Sequence, residues 1–376
     1  MPDGSAQRAG ADPSGARGAR HEFDRSEAAK MLKQQPATAP IRVLVVDDSS
    51  FMRNAITRHI QRDARFRVID TATNGREAIA KAEQHKPDVI TMDVEMPEMN
   101  GIDALKQIIA KSSIPVIMVS SQTEAGAKTT IQALQLGAMD FIPKAGGFEQ
   151  LHEKLHAVVG ATRARSRPQV APPPVTAPRR ALPMRVRVSK PNLVVIGSST
   201  GGPRALCQVL EALPKNFPAP IVIAQHMPPQ FTAAMAKWLS DVCAIKVVEA
   251  SDDMTLQPGV AYVGPGGMQF RVVNGKAKIA AAQGESLYKP SVDVLADSAA
   301  GSGSANVLAI MLTGMGNDGS KGFAKLKDGG AYVMAQDQAT SSVWGMPRAV
   351  AESGCADEIL PVGEIGKRIK AVFGLA

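Results

Sequence analysis

Between residues 41 and 159, short apolar runs alternate with stretches whose apolar residues fall three and four apart. The runs at 43–46, 67–72, 89–92, 116–119 and 139–142 have the length of strands. Met52, Ala55, Ile56, His59 and Ile60 make one helical stripe. Ala78, Ile79 and Ala82 make another, which Pro87 stops. Five strand–helix units in succession imply a parallel, doubly wound α/β sheet. A second α/β pattern starts at Asn192, with strands expected at 193–196, 221–224, 307–312 and 332–335. Inside it, Val272-Val273-Asn274-Gly275-Lys276 reads as a β-hairpin turning on Asn-Gly. No internal repeat is visible.

The pattern fails in two places. Residues 1–40 are rich in Ala, Gly, Arg, Ser and Pro without sustained periodicity and are expected to be a disordered extension. Residues 160–190 carry Pro172-Pro173-Pro174 among many arginines and are expected to be a linker. The folded domains are therefore expected at 41–159 and 191–376, and a length of 376 residues fits two domains. A hydrophobic fraction of 44% is enough for packed cores. No apolar run approaches the roughly 18 residues of a membrane span, and the N-terminus lacks the apolar stretch of a secretory signal. The expectation is a cytoplasmic protein without membrane insertion. Cys207, Cys243 and Cys355 are scattered and suggest neither a disulfide framework nor a zinc site. The net charge of +8 sits largely in the extension and linker, and no recognition-helix or zinc-finger spacing occurs, so nucleic-acid binding is not expected.

Ligands of parallel α/β sheets bind beyond the carboxyl ends of the strands. In the first domain those ends carry Asp47 and Asp48, then Asp93, then Ser120, with Lys144 after the fifth strand. Single aspartates often end strands as turn residues. Several carboxylates brought together repel one another, and a hard divalent cation such as Mg²⁺ would stabilise them. A carboxylate beside such a cation and a lysine can attack phosphorus. On these residues the segment 41–158 resembles a response-regulator receiver domain of the flavodoxin-like fold. The resemblance implies that Asp93, within Asp93-Val94-Glu95-Met96-Pro97, accepts the phosphoryl group. It implies that Asp47 and Asp48 belong to the metal pocket, with Asp48, Asp93 and the Glu95 backbone carbonyl as Mg²⁺ ligands. Ser120 is then the switch hydroxyl, Lys144 the phosphoryl-binding lysine and Phe141 the switch aromatic. Lys144-Ala145 departs from the usual Lys-Pro.

In the second domain, Leu193-Val194-Val195-Ile196 runs into Gly197-Ser198-Ser199-Thr200-Gly201-Gly202 and Pro203. A serine on such a strand-to-helix turn exposes its hydroxyl to a substrate carbonyl. N–H groups at the helix start can receive charge developing on oxygen, and Pro203 suits a first helical position. Gly-x-Ser-x-Gly alone is a weak signal, although the turn matches neither the dinucleotide nor the phosphate-loop glycine pattern. His226 is the one histidine beyond the linker, and it follows the strand-like run Ile221-Val222-Ile223-Ala224. Alone it could equally be a core histidine. The orienting acceptor is Asp318 in Thr313-Gly314-Met315-Gly316-Asn317-Asp318-Gly319, with Asn317 as local competitor. The order Ser…His…Asp differs from that of α/β-hydrolases.

Residues 192–375 resemble the catalytic domain of CheB-type protein-glutamate methylesterases. The matching stretches are the serine turn, Gln225-His226-Met227-Pro228-Pro229, Lys289-Pro290-Ser291-Val292-Asp293-Val294-Leu295, Leu312 through Gly319, and Gly345-Met346-Pro347. With the receiver in front, the resemblance covers about 300 residues in the family's domain order. The implied fold is a second doubly wound, Rossmann-like α/β domain. Ser198 stands where the family often has alanine, and the register before Thr-Gly-Gly points to Ser199 as nucleophile. The resemblance implies hydrolysis of glutamate methyl esters and deamidation of glutamines on chemoreceptors, with N–H groups near Thr200 and Met315 as oxyanion donors. It implies phosphorylation by a chemotaxis histidine kinase, no cofactor for the esterase, Mg²⁺ for the receiver, and a receiver that covers the esterase site until phosphorylated. A monomer is expected. Two rivals remain at this level: a regulator with a non-enzymatic binding output, and a small-ester hydrolase under receiver control.

Overall fold

The computed structural model describes residues 39–146, 148–166, 190–281, 288–301 and 306–375. Most of the expected N-terminal extension and of the expected linker lies outside the described residues.

The first sheet has five parallel strands: β1 (Ile41–Val46), β2 (Phe66–Ala72), β3 (Val89–Asp93), β4 (Val116–Ser120) and β5 (Asp140–Pro143), in the order β2-β1-β3-β4-β5. Its helices are α1 (Ser50–Ile60), α2 (Gly75–His85), α3 (Gly101–Lys111), α4 (Glu124–Leu136) and α5 (Leu151–Ser166). Strands β3 and β4 are buried along their whole length, because helices cover both faces and leave no polar side to alternate with. Each of the first four helices starts on a side chain that accepts a backbone N–H: Ser49, Asn74, Asn100 and Thr123. Ser49, Asn74 and Thr123 stand two or three residues after the ends of β1, β2 and β4, and Asn100 follows β3 after a longer loop, so the functional side chains gather at one edge. Helix α5 continues past Val159 to Ser166, further than periodicity suggested. Thr162 Oγ1 bonds back to Val158 O at 2.9 Å, and Arg163 Nη2 reaches Asp88 at 2.9 Å.

The second sheet has seven parallel strands: β6 (Leu193–Ser198), β7 (Ile221–Gln225), β8 (Lys246–Glu249), β9 (Val260–Val263), β12 (Val307–Met311), β13 (Tyr332–Gln336) and β14 (Glu358–Leu360). Its order is β14-β13-β12-β6-β7-β9-β8. The inserted hairpin pairs β10 (Gln269–Val273) with β11 (Lys276–Ala280) and turns on Asn274 and Gly275, both at positive φ, as expected for Asn-Gly. The helices are α6 (Gly202–Glu211), α7 (Phe231–Val242), α8 (Val292–Gly301), α9 (Ser320–Asp328), α10 (Met346–Glu352) and α11 (Val362–Val372). The chain builds outward from β6 through β7, then crosses back to lay β12 against the other side of β6. A crevice therefore opens where the order reverses, above the ends of β6, β7 and β12.

Residues from Pro40 onward form one compact unit, so the two sheets share a boundary. Helix α4 packs along α7, and Ile131, Leu134 and Phe141 join one apolar cluster with Phe231, Met235 and Leu239.

Candidate active site and phosphoryl pocket

Sheet register places the three expected groups of the second domain together. Ser198 pairs with Gln225 across β6 and β7, so Ser199 and His226 leave the sheet side by side. The His226 N–H donates to Ser198 O at 3.0 Å, and the Ser199 N–H donates to Thr313 O at 3.0 Å. The latter bond ties the serine turn to the loop after β12. A Cβ on Gly314 would lie 2.8 Å from Ser199 Cβ and 2.4 Å from Met346 Sδ, so only glycine lets that loop close onto the serine.

His226 Nε2 lies 2.7 Å from Asp318 Oδ2. Asp318 is 6% exposed and accepts three further bonds: Ser291 Oγ at 2.9 Å, Val292 N at 2.7 Å and Asp293 N at 3.1 Å. Burial pushes the Asp318 carboxyl up, but His226 and these N–H donors outweigh it and hold the group below its ordinary value. An ionised Asp318 can only accept, so Nε2 carries the proton and the lone pair of the neutral ring sits on Nδ1. That nitrogen is buried without a hydrogen-bond partner. Among the described residues Ser199 Oγ is not bonded to it; contacts of this kind often close only around substrate.

The two serines of the turn differ sharply. Ser198 is fully buried and its Oγ donates to Gln225 Oε1 at 2.6 Å. Ser199 is half-buried and its hydroxyl is uncommitted among the described residues. Gln225 also donates from Nε2 to Ser199 O at 2.9 Å and His226 O at 3.0 Å, so one amide staples both strand ends. Sequence reasoning gave no role to Gln225 or Ser291; both lie in stretches that carried the resemblance. Thr200 and Met315 flank Ser199, the first at the head of α6 and the second in the loop that Gly314 brings in.

In the first sheet, carboxylate oxygens of Asp47, Asp48 and Asp93 come within 4.8 Å of one another. Lys144 Nζ reaches Asp93 Oδ2 at 2.7 Å and Asp47 Oδ2 at 3.2 Å despite the Lys144-Ala145 sequence. Burial pushes Asp93 up to about 6, with Lys144 opposing and the neighbouring Asp47 charge adding to the rise. Burial lowers Lys144, but its two carboxylate partners more than restore it. Asp47 Oδ2 is buried, and among the described residues its close cationic neighbour is the Lys144 ammonium. An all-oxygen cluster of three like charges, with one lysine to offset them, fits a hard divalent cation. Glu95 lies beside the cluster, and its N–H donates to Asp93 Oδ1 at 3.4 Å. The structure does not turn Ser120 toward Asp93. Its hydroxyl donates to Gly126 O at 3.2 Å and accepts from Thr130 Oγ1 at 2.6 Å, both on α4.

Residues 43–156 match the response regulator receiver domain model, and residues 194–369 match the CheB methylesterase model. A protein-glutamate methylesterase/protein-glutamine glutaminase of Vibrio parahaemolyticus is 44% identical over 370 residues, covering 89% of this chain and 100% of that protein. One of the same description from Thermotoga maritima is 43% identical, covering 88% and 97%. This chain belongs to that methylesterase/glutaminase family. The crystal structure of the Thermotoga maritima CheB methylesterase catalytic domain is 42% identical and covers 48% of this chain and 98% of that one, at a TM-score of 0.46.

In this methylesterase the receiver touches the serine turn itself. Thr200 Oγ1 donates to Asp140 Oδ2 at the start of β5, while Lys154 Nζ holds Asp140 Oδ1 at 2.9 Å. Next along β5, the Phe141 ring lies 4.3 Å from the Phe231 ring of α7. Val343 and Met315 join the apolar cluster of Leu151, Leu155 and Val158 of the receiver. A cavity of about 560 Å³ remains between α5 and the loops around Met315 and Trp344.

Proposed function

We propose that Ser199, His226 and Asp318 carry out the family's reaction on glutamate methyl esters of chemoreceptors, and that phosphorylation of Asp93 controls access to them. The observation that carries the assignment is the His226–Asp318 contact at the end of β7, beside Ser199, with Nδ1 left as a buried acceptor. His226 Nδ1 takes the Ser199 proton as Oγ attacks the ester carbonyl. The backbone N–H groups of Thr200 and Met315 receive the oxyanion. The C–O bond to the methoxy group breaks, the imidazolium returns its proton, and methanol leaves. Water, deprotonated by His226, then releases glutamate from the acyl-enzyme. With a glutamine amide the same steps release ammonia.

In the receiver, Asp93 is the phosphoryl acceptor, and Asp48, Asp93 and the Glu95 carbonyl would hold Mg²⁺. That cation, when bound, neutralises charge on the phosphoryl group in flight. Lys144 holds the transferred oxygens, and Ser120 turns from α4 toward them. The unphosphorylated receiver keeps Thr200 engaged by Asp140 and covers the crevice. The reading takes the folded domains as 41–159, with helix α5 running on to Ser166, and 191–376, and a monomer in the cytoplasm suits it. The phosphoryl donor is a histidine kinase of the chemotaxis type.

The test is methanol release from membranes bearing methylated chemoreceptor, with and without a small acyl phosphate and Mg²⁺. Release stimulated by the phosphodonor is expected, and the Asp93→Asn chain should lose the stimulation but keep the basal rate. Hydrolysis of p-nitrophenyl acetate with no methanol from receptor would favour a small-ester hydrolase instead.

A further inference from the structure

Tyr288 lies flat on the expected catalytic histidine. Its ring centroid is 4.2 Å from that of His226, with the planes 6° apart. The contact is built from both sides. Gln269 on β10 donates from Nε2 to Tyr288 O at 2.9 Å and accepts the Ser291 N–H on Oε1 at 2.9 Å. One amide thus fixes the backbone on either side of Lys289-Pro290, between the stacked ring and the Ser291-Val292-Asp293 donors that grip Asp318. On the tyrosine's hydroxyl side, a Cβ on Gly316 would lie 3.0 Å from Oη, so glycine there makes room for the ring. Burial raises the Tyr288 phenol, and the charges of Asp318 and of Glu153 on receiver helix α5 add to it. The phenol is thus neutral beside the histidine.

We propose that Tyr288 is a positioning residue for the esterase reaction, its ring setting the plane of His226 and stabilising the imidazolium that forms when the nucleophile is deprotonated. The inference rests on the assignment of His226 as the base. A single hydrogen bond through Nε2 leaves the imidazole free to roll about that bond, which would swing Nδ1 away from Ser199. A parallel ring on one face removes that freedom. When His226 takes the serine proton, positive charge develops over an electron-rich π-face, an attraction the neutral ring does not enjoy. Stabilisation present only after proton transfer raises kcat and leaves KM nearly unchanged. Cation–π and stacking contributions of ordinary size correspond to about 5- to 30-fold in rate.

The experiment compares full-length wild type with Tyr288→Phe and Tyr288→Leu, each activated with an acyl phosphate and Mg²⁺ and assayed by methanol release from methylated receptor. Tyr288→Phe keeps the ring and should hold kcat within about twofold; Tyr288→Leu should lose about tenfold in kcat with KM and the melting midpoint unmoved. In parallel, the His226 ring protons should resonate upfield in wild type and Tyr288→Phe and return toward ordinary values in Tyr288→Leu. Full kcat in Tyr288→Leu would overturn the proposal. So would an equal loss in Tyr288→Phe, which places the role in the hydroxyl. Absence of methanol release from wild type, with the upfield resonances present, counts against the methylesterase reading and not against the stack; absence of the upfield shift counts against the stack whatever the activity.

Discussion

At the scale of the residue, the two adjacent serines show how burial assigns chemistry that sequence leaves ambiguous. Ser198 faces inward and spends its hydroxyl on Gln225; Ser199, one residue later, faces the crevice. Ser199→Ala is expected to lower turnover on the order of 10⁴-fold or more, because the three groups act as a unit. Ser198→Ala deletes a buried hydroxyl and leaves Gln225 Oε1 without that donor. It should cost about 1 kcal/mol of stability and little turnover. Methanol-release kinetics and thermal melts on both variants check this; activity in the first and none in the second would reverse the assignment. Ser199 and His226, proposed here as nucleophile and base, stand out in the sequence because each directly follows an apolar strand, and Asp318, the proposed acceptor, because it lies in the glycine-rich loop after another. Ser291, Gln225 and Tyr288 do not, since their roles come from contacts with Asp318, the serine turn and His226 across the fold. No periodicity marks such contacts.

Among the elements, β5 is the one that speaks to both sites. Lys144 follows its last residue and binds Asp93, while Asp140 at its start takes the Thr200 hydroxyl. Helix α4 is the second connection: Thr130 and Gly126 hold the Ser120 hydroxyl, and the same helix packs on α7. Asp140→Ala removes the acceptor and leaves Lys154 with the Phe141 carbonyl as its remaining partner on that strand. The variant should raise the unphosphorylated rate roughly tenfold, the worth of one charge-assisted buried bond, and narrow the stimulation by phosphodonor. A basal rate equal to wild type would mean the contact restrains nothing. The five receiver strands were readable from their apolar runs to within a residue or two. Strands β8, β9 and β14 were not. The first has only Val247-Val248 as a fully apolar pair, the second follows Pro258-Gly259, and the third spans three residues, so each falls below the length at which pattern separates from noise.

On the scale of the whole molecule, the acidic pocket sets a pH dependence. Asp93 titrates near 6 in the fold against an ordinary 3.8, so the folded chain binds the extra proton between those values. Stability therefore falls as pH rises from about 4 to about 6 and stays lowered above, by roughly 3 kcal/mol for a shift of this size. Asp93→Asn should melt higher than wild type at about pH 7.5 and together with it at about pH 4, and Mg²⁺ should raise the wild-type midpoint at the higher pH alone. A gap between the two chains that ignores pH would refute the pocket's strain. The strand that joins the two sites has a further consequence for inheritance. Its four residues span about 13 Å, so the Lys144–Asp93 contact and the Asp140–Thr200 contact lie too close together to be varied separately. A receiver borrowed from another regulator could accept phosphate faithfully and still fail to engage Thr200, because the far end of its last strand would present a stranger's side chain there. Changes at the two ends of β5 are thus expected to be tolerated only together with changes at Thr200.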